Sequence, residues 1–146
     1  MDAPTGTQVI GAATELLLEH GFLSTGELET PNGHTVRTFE DQLSIVGITF
    51  FDTWRALEMN WPEAQGAVVE LMSTRLTRSD PKSWEGYLLL LTTDEALDSL
   101  ALDKIRRDTT RLRKLVTTGS ELRSIASVRT ALLPVLPLEL DGSRGE

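Results

Sequence analysis

Apolar residues recur at helical spacing between Thr7 and His20, with Val9, Ile10, Ala13, Leu16 and Leu17 gathered near one side together with His20. Such a stripe is what an amphipathic helix buries against a core. Gly21 follows directly, placed to cap the helix C-terminus. The pattern then changes period. Gly26 to Thr30 enters a turn at Pro31-Asn32-Gly33, and His34 to Phe39 leaves it, which predicts a hairpin of edge strands. From Leu43 to Phe51 both alternating sets are mostly apolar, as they are in a strand covered on both faces.

Helical spacing returns from about Thr53 to Arg75 through Trp54, Leu57, Trp61, Ala64, Val68 and Leu71. Pro62 has no N–H to offer Glu58, so a kink or a second helix start is expected there. After the polar turn Thr77 to Lys82, the run Trp84 to Thr92 reads as a second buried strand. Two buried strands joined by a helix predict a parallel βαβ unit.

Asp94 is a good N-cap for a long final helix reaching about Val116, with Gly119 beyond its end. On that helix Leu97, Ala101, Ile105, Leu112, Leu115 and Val116 would make the dry stripe. A short helix broken at Pro134 completes the chain. The apolar run Leu132 to Leu138 is expected to pack on this domain or on a partner. The expected fold is a small mixed α/β sheet with a central parallel βαβ unit, an N-terminal helix, an edge hairpin and a long C-terminal helix. It forms one domain over residues 1–140, with a disordered tail at 141–146.

Composition sharpens the class. The 146 residues are enough for one core, and 40% hydrophobic with 25% charged is ordinary for a globular protein. There is no cysteine, hence no disulfide and no thiolate chemistry. Apolar runs are too short to span a membrane, and the N-terminus lacks a basic region, so a soluble cytoplasmic protein is expected.

Charge is unevenly spread. Six of the fourteen basic residues fall within the eleven positions from Lys104 to Lys114, while the whole chain carries −8. On a helix, Lys104, Arg106, Arg107, Arg111, Arg113 and Lys114 would cover about half the circumference, with Asp108 pairing to Lys104, Arg107 or Arg111. Acids first and bases last also complement a helix dipole, so part of the pattern is explained by helix polarity alone. The bias toward arginine favours gripping carboxylates or phosphates. No aromatics interleave with these bases, which argues against a platform for single-stranded nucleic acid. Trp54 and Trp61 read as core, and Trp84, at a strand entrance, as a possible interface residue.

Candidate chemistry is sparse. His20 and His34 have no partner at metal-ligand spacing, and no nucleophile elbow or phosphate-binding glycine pattern occurs. Asp41, Asp52, Glu85 and Lys82 near strand ends are the set worth testing as a metal nuclease, and the usual close spacing, an acid two residues before a lysine on the same strand, is absent. No catalytic, cofactor or metal residue is expected.

The succession Trp84 to Thr92, an acidic helix start, Ile105-Arg106-Arg107-Asp108-Thr109 and Arg113-Lys114-Leu115-Val116 resembles the small middle-component proteins of bacterial ABC-three-component defence systems. That group includes the Lamassu-type anti-phage systems. The likeness covers roughly residues 43–140, with the Arg-Asp-Thr…Arg-Lys spacing its most telling part. The resemblance implies a non-catalytic adaptor in a hetero-oligomer with an SMC-like ABC ATPase and an effector, often a nuclease. It carries Asp108, Arg113 and Lys114 over as structural or interface residues. DNA contact within the complex, or direct nucleic-acid binding by the basic segment, is the alternative reading.

Overall fold

The computed structural model describes residues 3–78 and 85–136. It is a three-layer sandwich: a five-stranded sheet with a helix pair on each face. Helix α1 spans Gly6–Glu19, its first turn closed by a capping box between Thr5 and Gln8. Strands β1 (Leu23–Glu29) and β2 (Thr35–Glu40) form the expected hairpin, and β3 (Ser44–Phe50) pairs antiparallel with β2. Helix α2 (Trp54–Arg78) carries the chain across one face to β4 (Glu85–Leu91), which lies parallel to β3. The βαβ unit is present, and α2 runs through Pro62 as a single element rather than restarting there.

The long final helix does not form. Helix α3 is Ser99–Arg107 only, and Arg113–Thr117 is a fifth strand, β5, parallel to β4. Local chemistry stops the helix. The Asp108 carboxylate accepts from the Thr110 backbone N–H at 2.9 Å, an Asx-type turn that competes with helix hydrogen bonding. Arg111 then takes φ +69°, a left-handed turn that reverses the chain into the strand. The β-branched set Val116, Thr117 and Thr118 belongs with a strand. Asp94 does not cap α3 either. Asp98 does, accepting from the N–H groups of Leu100 and Ala101, while the Asp94 carboxylate accepts from the N–H of Trp54 at the start of α2. The chain closes with a short 3-10 turn, Gly119–Glu121, and α4, Ile125–Leu132, followed by turns through Pro134.

Sheet order is β1-β2-β3-β4-β5. Alternation along the central strands splits the core in two. Val46, Ile48, Leu89 and Leu91 meet Val9, Ala13 and Leu17 of α1 and Val128 and Leu132 of α4. Leu88, Leu90 and Val116 meet Trp54, Leu57, Ala64 and Val68 of α2 and Ile105 of α3. Gly47 admits α2 to the sheet, since a methyl group there would lie 2.7 Å from Cγ2 of Val68. Trp54 is fully buried and Trp61 packs partly buried against the same cluster. No helix among the described residues is long and apolar enough to cross a membrane. Trp84, Lys82 and the expected tail at 141–146 lie outside the described residues.

Candidate functional site

Because residues 99–117 form helix, turn and strand, the six cations do not share one face. They divide into two groups with different surroundings.

Lys114 belongs to the interior. It is 2% exposed, and its side chain rises from β5 into the layer between the sheet and α2. There Nζ donates to Oε1 of Gln65 at 2.6 Å, to the Thr110 carbonyl at 2.9 Å and to the Asp108 carboxylate at 3.1 Å. An ammonium has three N–H donors, and all three are used. The ring of Trp61 lies beside it, 5.5 Å from Nζ to the ring centroid. Buried charge is costly unless paired and hydrogen-bonded, and here both conditions are met. The expected pairing of Asp108 with Lys104, Arg107 or Arg111 gives way to this contact. The Thr110 N–H and then Lys114 hold the Asp108 carboxyl below its ordinary pKa. Lys114 is thereby removed from the docking set and pins the 108–112 turn to α2.

Arg106 is also engaged. Its Nη2 donates to the Val116 carbonyl at 2.7 Å and to the Glu121 carboxylate at 2.8 Å. The same carboxylate oxygen accepts from the N–H of Thr118 at 3.2 Å. Arg106 thus ties the end of α3 to the free edge of β5.

The other four cations are exposed, and none holds a salt bridge to a described residue. Arg113 lies at the start of β5 beside a groove bordered by α4. Arg111 lies against the outer side of α2, near Gln65 and Glu70. Lys104 and Arg107 lie on the outer side of α3, in a shallow groove with Leu100, Asp103 and Asp108. Leu97 and Leu100 are 84% and 79% exposed. Positions 100, 104 and 107 follow one another at helical spacing, so Leu100 and two cations form a single outward stripe on α3, with the exposed Leu97 just ahead of its Asp98 N-cap. Leu97 was expected on the buried stripe. It is instead among the most exposed large apolar residues described, because the helix begins only at Ser99 and leaves Leu97 in the segment ahead of the Asp98 N-cap.

Of the described residues considered for a nuclease, Asp52 is kept apart from Asp41 and Glu85. The Asp41 carboxylate caps the turn into β3 by accepting from the N–H groups of Leu43 and Ser44, and Glu85 begins β4 at that same end, accepting from the Tyr87 hydroxyl. Asp52 follows the opposite end of β3. His20 Nδ1 lies 2.8 Å from the Leu16 carbonyl and His34 packs its ring on Phe51. Among the described residues no group of His, Asp and Glu is arranged to hold a metal ion.

No protein-family model, no curated protein and no solved structure matches the chain.

Proposed function

We propose that the chain is a non-catalytic adaptor subunit of a bacterial anti-phage complex, bridging an SMC-like ABC ATPase and an effector in the cytoplasm. The observation that carries the docking role is the outward stripe of α3. Leu100 leaves a large apolar side chain in water on a helix whose remaining leucine and isoleucine are turned inward, and Leu97, just before the helix, is exposed beside it in sequence. Lys104 and Arg107 continue the same stripe without an internal salt bridge. Apolar anchors rimmed by unpaired cations fit an acidic protein surface with hydrophobic pockets. The partner identities rest on the resemblance of residues 84–116 to middle-component proteins.

The nucleic-acid reading has one observation in its favour: Lys104, Arg107 and Arg111 are all exposed and unpaired on the α2–α3 side. Exposed leucines contribute nothing to phosphate binding, and the chain's net charge of −8 repels nucleic acid at long range. The protein-docking reading accounts for both leucines and cations.

Leu100→Ser and Arg107→Glu, made separately, test it. The adaptor reading expects each to weaken assembly with the ATPase by tenfold or more. Binding to duplex DNA that falls steeply with salt, and that Arg107→Glu abolishes while Leu100→Ser leaves untouched, would transfer the stripe to nucleic acid.

A further inference from the structure

The two edges of the sheet are built differently. At β1 the edge is broken by a bulge between Ser24 and Gly26, and the exposed acids Glu27 and Glu29 stand along it. Such features discourage another strand from pairing there. Edge strand β5 has an uninterrupted parallel register with β4 from Arg113 to Thr117. Thr92 donates its N–H to the Thr117 carbonyl at 3.1 Å, so Thr117, and with it Leu115 and Arg113, turn their backbone groups toward β4. By alternation Lys114 and Val116 direct theirs outward. Among the described residues, the only group meeting this outward row is the Arg106 guanidinium on the Val116 carbonyl.

Alongside that row runs an open groove of about 650 Å³ between β5 and α4. Its floor includes Leu115, Ala131 and Pro134, and Arg113 and Arg106 stand at its sides. Leu115 is only partly buried against the α1–α4 core. The sole carboxylate lining the groove, Glu121, is already on Arg106.

We infer that the free edge of β5 is a second docking surface, which accepts an extended acidic segment of a partner protein as a sixth strand. Main-chain bonding to Lys114 and to the N–H of Val116, whose carbonyl Arg106 already holds, would supply affinity, as in other strand additions, and the side-chain environment sets the partner's pattern. Arg113 and Leu115 lie on the same face two residues apart. The added strand therefore presents an acid beside Arg113 and, two positions on, an apolar residue beside Leu115. A second copy of this chain fits less well, because its β5 edge, Arg113 to Thr117, carries no acid to set beside Arg113. The inference deepens the adaptor reading by giving the bridge a second contact, yet it stands on none of the α3 stripe residues.

The test is a titration of the full-length, 15N-labelled chain with the blocked peptide Thr-Glu-Thr-Val-Glu-Val-Thr, followed by amide shifts and exchange. The expected result is shifts and slowed exchange at the Lys114 and Val116 amides, with residues 97–107 unmoved. A peptide with lysines replacing both glutamates should bind at least tenfold more weakly. Arg113→Glu should lose binding tenfold or more without a change in Tm, and Val116→Pro, which deletes an outward N–H, should lose it as well. Should Val116→Pro not fold, the Arg113→Glu result decides. Lys104→Glu with Arg107→Glu should leave the titration unchanged, so failure of the α3 reading and failure of this one are distinguishable. The proposal is overturned by an absence of shifts at 113–117, or by equal binding of the lysine peptide. It is equally overturned if, without peptide, those amides contact a second copy or the chain's own residues 137–146.

Discussion

Lys114 and Lys104 lie ten positions apart in one run of basic sequence, and the molecule uses them in opposite ways. Lys114 is enclosed, with every ammonium proton donated to Gln65, Thr110 or Asp108. Lys104 is exposed on α3 beside Leu100 and Arg107, without a salt bridge to a described residue. The same division separates Arg106, clamped on Val116 and Glu121, from Arg107, its exposed neighbour. A run of positive charge in a sequence is therefore not one surface. Part of it holds the turn and edge of the fold in place, and part is left exposed to solvent.

Substitution breaks this comparison in a graded way. Lys114→Met keeps the length of the side chain but leaves the Gln65 and Thr110 oxygens without a donor, and urea unfolding should record a loss of about 1–3 kcal/mol. Arg106→Gln frees the Val116 carbonyl at an edge that water reaches, and about 1 kcal/mol is expected in the same assay. Asp108 sharpens the comparison through pH. Its carboxyl is held below the ordinary value, first by the Thr110 N–H and then by Lys114. The stability it contributes is thus present above the unfolded-state pKa and lost as pH falls through the folded one. In thermal melts, the gap between wild type and Asp108→Asn should be widest near neutrality and close as the pH drops below about 4. At the small end, Lys104→Glu with Arg107→Glu should change stability by no more than about 0.5 kcal/mol.

Much of the fold was legible in the pattern of apolar residues. The runs at 43–51 and 84–92 are apolar on both faces and could only be central strands, and the hairpin announced itself at Pro31-Asn32-Gly33. The segment after Asp94 misled because Leu97, Ala101, Ile105, Leu112, Leu115 and Val116 also fit a helical repeat. Against that repeat stood Asp108-Thr109-Thr110, which favours a turn, and the β-branched end of β5, which favours a strand. The exposure of Leu97 was hidden by the same error, since a helix starting at Asp94 would have turned it inward, whereas α3 starts only at Ser99. The burial of Lys114 had no local signal at all. It depends on Gln65 and Trp61, some fifty residues earlier, which only the packing of α2 over β5 brings to it.

The docking face on α3 is the central claim, and co-purification from the native cells under physiological salt tests it most directly. Tagged wild-type chain and a variant carrying Leu100→Ser, Lys104→Glu and Arg107→Glu would be compared, with their melting temperatures measured alongside. The account predicts that wild type retains a large ATPase with coiled-coil arms, and that the variant loses it while melting within a few degrees of wild type. A variant that folds as well as wild type and retains the same ATPase in equal amount would contradict it.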